Sequence, residues 1–407
     1  MTEQPLRDTE IMLVVGEASG DELGAQLIAA INAFGDRSVK ITGVGGPAMI
    51  GQGMTPLFSI ETTAVMGLRE VVPRIPAILR RVREASDFAL KTRPDVMVII
   101  DSPDFTHRIA QRVKRLDPSI PIVNYAPPQV WASRSYRAKK MARYIDAVIT
   151  FFPFETEFFQ RCGISSYVAG YPVIERAGRM RGGDAFRNAH GISEDAPLIA
   201  VLPGSRRNEI RFILPIFRQA VEMLARDVPG LVSVMPTVPH VANLVRDAAA
   251  QWPTPVHVIE ENGGRYAAFD AADVALAASG TVTSELALAR TPMVAGYRLG
   301  WLTYALARPF VHVPYIVLIN LVLQRPAVPE FVQQACTPAA LARALKPLFQ
   351  NGPARAQQLA DLQAAVTAFG LGGEAPSIRA ARAILEIAAE RDESRGRKSA
   401  AIPELAS

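Results

Sequence analysis

Four short stretches combine small residues with charged or hydroxyl groups in the way that anion binding or proton transfer requires. Asp101-Ser102-Pro103-Asp104 closes an apolar run over 96–100. The carboxyl end of a buried strand is where α/β sheets keep their ligands. Asp101, partly desolvated after that run, is placed to take a proton from an attacking hydroxyl, and Asp104 to cap the helix that follows. Pro203-Gly204-Ser205-Arg206 also joins an apolar run to a helical pattern. Backbone N–H groups at such a turn point at an anion, Gly204 permits close approach, and Arg206 can grip a phosphate with two hydrogen bonds; a plain turn with a surface Arg is the alternative. In Ser279-Gly280-Thr281-Val282-Thr283-Ser284-Glu285, hydroxyls and helix N-terminal amides can hold a diphosphate, with Glu285 accepting hydrogen bonds from ribose hydroxyls. The competing reading makes Thr281 or Thr283 a helix cap that Glu285 completes. Two phosphate-type loops in one half of the chain favour a nucleotide diphosphate. Gly16-Glu17-Ala18-Ser19-Gly20-Asp21 departs from G-x-G-x-x-G because Ala18 replaces the second Gly, which argues against a dehydrogenase. Glu17 and Ser19 are expected to face a ligand, and Asp21 to sit at the positive end of a helix.

Strand-like runs alternating with helical patterns position these loops. Strands are predicted at 11–15, 96–100, 121–125 and 147–150, and a helix at 21–34. The pattern resets near Gly170, with a polar linker or turn predicted over 178–191. It then repeats, with strands at 198–202, 231–235, 256–259, 274–278 and 293–297 and a helix from about Asn208. After Tyr297 the pattern is mostly helical. Two strand–Gly loop–helix units, roughly 190 residues apart, imply an α/β protein with two Rossmann-like domains facing a central cleft. The expected division is 1–170 for the first domain and 171–370 for the second. A helix at 371–390 would then pack back on the first domain, with a flexible charged tail over 391–407.

Composition excludes several classes. With 407 residues, the chain exceeds one ordinary core. The 44 Lys+Arg against 39 Asp+Glu give a net charge of +5, too small an excess for a nucleic-acid partner and compatible with an anionic substrate or acidic membrane surface. Cys162 and Cys336 are the only cysteines, so no disulfide framework or zinc site is expected and a reducing, cytoplasmic compartment is. No D-x-D occurs, and the five histidines (107, 190, 240, 257, 312) lack metal-ligand spacing, so neither metal nor cofactor is expected. Arg206 and helix N-termini must then neutralise leaving-group charge. The first ten residues carry no signal-peptide pattern. The longest charge-free apolar stretch, 309–324, is broken by Pro314 and Asn320 and is short for a membrane span. One segment does point to lipid: 65–83 mixes bulky apolar residues with five Arg, a composition suited to dipping into an interface. An amphipathic helix packed on the sheet is the alternative.

Taken together, these residues resemble the lipid-A-disaccharide synthase family from about Ile11 to Ala388. The similar motifs are the Gly16–Asp21 loop, Ala64-Val65-Met66-Gly67, Ile100-Asp101-Ser102-Pro103-Asp104-Phe105, Leu202-Pro203-Gly204-Ser205-Arg206 with Glu209, Ser279-Gly280-Thr281, and Asn320, Arg325, Pro329-Glu330-Phe331 and Gln333. The resemblance implies an inverting glycosyltransferase of GT-B fold, with C-terminal helices crossing between the halves. It would join UDP-2,3-diacylglucosamine to 2,3-diacylglucosamine 1-phosphate, giving a β-1,6-linked disaccharide and UDP. It implies Asp101 as general base, Arg206 at the diphosphate, Glu285 at the ribose, and Asn320, Glu330 and Gln333 in the donor site with Gly204 and Ser205. Val65, Met66, Leu68, Arg69, Val72 and Ile75 would meet acyl chains and the cytoplasmic face of the inner membrane, and a homo-oligomer is compatible. The chain departs from the family at Asp21-Glu22-Leu23-Gly24, Trp131-Ala132-Ser133, Gly170-Tyr171-Pro172-Val173-Ile174-Glu175 and Ile319. Those departures keep open a divergent paralogue with another acylated-sugar acceptor or reduced activity. An epimerase of UDP-N-acetylglucosamine, which 65–83 speaks against, and a non-catalytic binding paralogue, which Asp101, Arg206 and Glu285 speak against, are the other readings.

Overall fold

The computed structural model describes residues 8–35, 38–60, 75–128, 135–260, 262–298 and 314–400. The chain divides into two compact units, residues 1–172 with 374–407, and residues 173–373.

The first unit opens with β1 (Thr9–Val15), α1 (Ala18–Ala33), β2 (Val39–Gly45), α2 (Pro47–Gly51) and β3 (Thr55–Ser59). It continues with α3 (Ile75–Thr92), β4 (Val96–Ile100), α4 (Pro103–Leu116), β5 (Ile122–Tyr125), α5 (Ser135–Met141), β6 (Ala147–Thr150), α6 (Pro153–Arg161) and β7 (Ser165–Val168). The strands form one parallel sheet in the order β3-β2-β1-β4-β5-β6-β7. Ile11 to Val15 and all of β4 are fully buried, as expected for strands covered on both faces, and this is why they read as unbroken apolar runs. β2 does not: Gly43 interrupts it at φ +135°, and a Cβ there would lie 1.9 Å from the Leu13 carbonyl oxygen, so only glycine lets β2 lie against β1.

The second unit begins within a 3-10 segment, Pro172–Arg179, followed by α7 (Gly183–Ala189), so 178–191 is mostly helical rather than the linker or turn that its polarity suggested. The reason is Arg187, which is buried and donates to the carbonyls of Ala271, Ser193 and Ala196 and to the Asp273 carboxylate. There follow β8 (Leu198–Leu202), α8 (Arg207–Ala225), β9 (Val232–Pro236), α9 (Ala242–Ala249), β10 (Val256–Ile259), α10 (Asn262–Ala271), β11 (Val274–Ala278), α11 (Thr281–Leu288) and β12 (Met293–Tyr297). The remainder comprises α12 (Leu318–Leu323), β13 (Glu330–Val332), α13 (Pro338–Leu345) and α14 (Pro353–Ala368). This sheet is also parallel, in the order β10-β9-β8-β11-β12-β13. β13 therefore adds a strand beyond Tyr297, where the pattern had suggested helices.

From Glu374 the chain returns to the first unit, where α15 (Pro376–Ala400) packs along α1. Of the tail expected to be flexible over 391–407, Arg391 is buried, and its guanidinium donates to the Pro94 carbonyl.

In each sheet the strand order reverses beside the first strand, between β1 and β4 and between β8 and β11. Loops diverging at such a point leave a crevice at the strands' carboxyl ends.

Candidate active site

In the first unit the β1–α1 and β4–α4 loops meet at the reversal point. Ser19 donates from Oγ to Asp101 Oδ2 at 2.6 Å, and the Ser102 amide donates to Asp101 Oδ1 at 2.7 Å, so each carboxylate oxygen is held from one side. Asp101 and Ser102 both lie in the left-handed region, at φ +55° and +43°. Two successive non-glycine residues there store strain of a kind concentrated at functional sites. Thr106 locks the turn, its hydroxyl lying 2.7 Å from the Asp101 carbonyl oxygen and 3.1 Å from that of Ser102. Gly16 makes the close approach possible, because a Cβ there would lie 2.6 Å from Ser102 Cβ.

Of the neighbouring charges, Asp21 sits in a first helical turn as expected, and Asp104 does not take the capping role. Ser102 occupies the N-cap position of α4, so Asp104 is not the cap; it sits exposed in the first turn, facing the positive end of the helix dipole. Asp21 lies in the first turn of α1, but its buried carboxylate accepts from the amides of Gly46, Ala48 and Met49 and so closes the N-terminus of α2. Glu17 is half-buried at the N-cap of α1 with no capping hydrogen bond from its side chain. Beneath α4, His107 sits between Tyr144 at 3.0 Å and Asn124 at 3.1 Å. Burial pushes its pKa down to about 4, against a raising contribution from Asp104. The Asn124 amide donates to Nε2, which leaves the proton on Nδ1, directed to the Tyr144 oxygen.

In the second unit Gly204 adopts φ +104°, turning the chain from β8 into α8. Arg206 is the N-cap residue, 67% exposed along its side chain, and donates to Glu209 Oε1 at 2.8 Å. The Ser205 carbonyl accepts from His240 Nε2 at 2.7 Å, which pins the loop from the α9 side. Burial, and then the Glu209 charge, raise the Tyr297 pKa, while Arg206 opposes them.

The β11–α11 loop starts α11 with Gly280 as its N-cap residue, so neither Thr281 nor Thr283 is the cap. Thr283 is buried and donates to the Gly280 carbonyl at 2.8 Å, and Ser279 donates to that of Ile316 at 3.0 Å. Thr281 and Gly280 remain exposed at the helix mouth. Glu285 completes no capping box. Its Oε1 accepts from Arg176 at 2.6 Å and Arg265 at 2.9 Å, an ion-pair cluster tying three separate segments together. Arg265 also stacks on the Tyr266 ring at 4.6 Å.

Asn320 is fully buried, and both ends of its amide engage the Val328 backbone at 2.7 Å, so it shapes the loop between α12 and β13. Glu330 accepts from the Ile316 and Val317 amides; burial raises its pKa against the lowering effect of those amides. Gln333 follows β13 directly, buried, at φ +55°, and its Nε2 has no hydrogen-bond partner among the described residues. A buried orphan donor on a strained residue at the ligand end of a sheet suits a ligand oxygen. Val65, Met66, Leu68, Arg69, Val72, Trp131, Ala132 and Ser133 lie outside the described residues, and α3 starts at Ile75. The structure adds partners to which sequence reasoning assigned no role: Glu209, read only as part of the Arg206 motif, and Arg176 and Arg265, far from Glu285 in sequence and without a local signal. Among the described residues no group of three or more His, Cys, Asp or Glu is placed to hold a metal ion, and no helix is long and apolar enough to cross a membrane.

Two parallel sheets, each with ligand-type loops at its strand carboxyl ends, define the GT-B architecture of glycosyltransferases and sugar-nucleotide epimerases. In fold the chain is similar to the UDP-GlcNAc 2-epimerase of Neisseria meningitidis bound to UDP-GlcNAc, with a TM-score of 0.63 at 12% identity, covering 94% of this chain and 100% of that one. It is similar also to MurG of Acinetobacter baumannii, with a TM-score of 0.55 at 15% identity, covering 93% and 99%. In sequence it is 42% identical over 381 residues to lipid-A-disaccharide synthase of Rhodospirillum centenum, covering 94% of this chain and 95% of that protein. To the protein of the same name from Paramagnetospirillum magneticum it is 41% identical over 388 residues, covering 95% and 99%. The family described as lipid-A-disaccharide synthetase matches residues 11–374, and the chain belongs to that family.

Proposed function

We propose that the protein transfers 2,3-diacylglucosamine from UDP-2,3-diacylglucosamine to 2,3-diacylglucosamine 1-phosphate, forming the β-1,6-linked disaccharide 1-phosphate and UDP. The observation that carries this reading is the Asp101 carboxylate, held at both oxygens on a strained turn at a sheet reversal point in a chain of this family. Asp101 takes the proton from the acceptor 6-hydroxyl as that oxygen attacks the anomeric carbon, and one displacement inverts the centre. Departure of UDP develops negative charge on the diphosphate. Arg206 and the amides at the N-termini of α8 and α11 meet it without a metal ion. Glu285 and Gln333 orient the nucleotide. The acylated substrates place the work at the cytoplasmic face of a membrane.

The test is UDP release from UDP-2,3-diacylglucosamine in detergent, with and without the acylated sugar 1-phosphate. Acceptor-dependent release together with a disaccharide product supports the reading. Conversion of UDP-N-acetylglucosamine to its epimer, or UDP binding without any transfer, would overturn it.

A further inference from the structure

Glu285 is surrounded by more positive charge than an ion pair needs. Its Oε1 accepts from Arg176 Nη1 at 2.6 Å and from Arg265 Nη2 at 2.9 Å. All three residues belong to the second unit; the Glu285 side chain is 5% exposed, that of Arg176 21% and that of Arg265 28%. Two guanidinium groups against one carboxylate leave an excess positive charge in a partly buried cluster, which folding alone does not favour. Arg265 carries two costs of its own. It is the fourth residue of α10, within the first turn, where the helix dipole disfavours a cation. Its Nε is buried and has no hydrogen-bond partner among the described residues, although Nη2 also donates to the Tyr266 hydroxyl at 2.7 Å.

Both cations load the same oxygen. A carboxylate offers about four acceptor positions, two on each oxygen. Oε1 is therefore filled, while Oε2 accepts from no described residue. Two open acceptor positions on one fixed oxygen match the two O–H groups of a vicinal cis-diol, the group a ribose presents. The Arg pair decides which oxygen stays open and keeps the carboxylate from turning, because Arg265 is itself braced over the Tyr266 ring at 4.6 Å. Glu285 stands one turn into α11, the helix that starts at the carboxyl end of β11.

We propose that Arg176 and Arg265 are positioning residues that hold Glu285 with Oε2 open to the ribose diol of the donor nucleotide, and that this pair makes the site select a ribonucleotide over its 2′-deoxy counterpart. The inference rests on the donor reading of the second unit and adds to it two residues that act through Glu285.

Calorimetry of the full chain with UDP and with 2′-deoxy-UDP tests it. A hydrogen bond to a charged group corresponds to about 10–100-fold in affinity, so the wild type should prefer UDP by about that ratio. Both nucleotides carry the same diphosphate, so a variant that has lost only charge or stability binds both more weakly at an unchanged ratio. Arg265→Met and Arg176→Met should each lower the ratio several-fold, and Arg265→Lys, which returns the charge and a donor, should restore part of it. With Glu285→Gln in place, Arg265→Met should change the ratio no further. Thermal melts show which variants are folded, and the Arg265→Met and Arg265→Lys pair carries the comparison if Arg176→Met is not. A full wild-type ratio in folded Arg265→Met would overturn the proposal and leave the donor reading intact. So would equal affinity of the wild type for the two nucleotides. Failure of the wild type to bind UDP at all would overturn the donor reading, and the proposal with it.

Discussion

Ser19 and Asp101 stand 82 positions apart in sequence, yet the Ser19 hydroxyl donates to Asp101 Oδ2 at 2.6 Å. One carboxylate oxygen is thus held by a side chain and the other by the Ser102 amide, and the plane of the carboxylate is fixed before any hydroxyl arrives. A base fixed in this way loses little by ordering when the substrate binds.

If Asp101 is the base, Asp101→Asn should keep fold and UDP affinity while turnover falls about 10²–10⁴-fold. Ser19→Ala should lower kcat roughly 10–100-fold with little change in KM, since a hydrogen bond to a charged group contributes about 1.5–3 kcal/mol. Steady-state kinetics check both. Normal kcat in Ser19→Ala would remove Ser19 from its positioning role, and weakened UDP binding at normal rate in Asp101→Asn would contradict the base.

Arg206 is exposed and pairs with Glu209, so it is held near the loop without being buried. Arg206→Ala should raise the barrier by about 2–4 kcal/mol, the range for losing a preorganised donor to developing charge. The effect should fall on kcat/KM for the UDP-sugar with the melting temperature unchanged. Turnover near wild type would exclude Arg206 from the diphosphate site.

Gln333 combines φ +55° with a buried Nε2 that has no hydrogen-bond partner among the described residues, so that N–H adds nothing to folding through hydrogen bonds. Gln333→Gly removes both the strain and the orphan donor. It should raise the melting temperature slightly, by an amount corresponding to about 1 kcal/mol, while weakening UDP binding in calorimetry. A variant less stable but equally able to bind UDP would contradict the ligand role.

His107 is neutral and buried, its pKa lowered to about 4 from 6.5 by burial. Because the folded pKa lies below the unfolded one, the unfolded chain binds more protons between those values. The stability tied to neutral His107 is therefore complete above about pH 6.5 and is lost as pH falls towards 4, by on the order of 3 kcal/mol. Urea melts from pH 7 to pH 4 should show this slope, and His107→Gln should flatten it. An equal slope in both proteins would assign the acid sensitivity elsewhere.

The strands that were legible in the sequence are those buried on both faces, because an unbroken apolar run such as 96–100 has no other economical packing. β2 was hidden by Gly43, β7 by its half-exposed Ser165-Ser166, and β13 by being only three residues long. In the site, loop chemistry could be read wherever partners are close in sequence, as at Gly204-Ser205-Arg206. What could not be read were pairings made by the fold: Ser19 with Asp101, Asp21 with the start of α2, and Arg176 and Arg265 with Glu285. A charged side chain in a loop has several possible partners, and only the tertiary structure selects one.

The return of the chain to its first unit sets an order on biosynthesis. The second unit is an insertion whose ends lie side by side, since a Cβ on Gly370 would lie 3.5 Å from Ile174. It can therefore close on itself as soon as it leaves the ribosome. The first unit, begun earlier, must wait for α15, which covers α1 and sends Arg391 to Pro94. Until α15 has been made, that apolar face of α1 is bare, and a nascent chain stalled between the units is the form most in need of a chaperone.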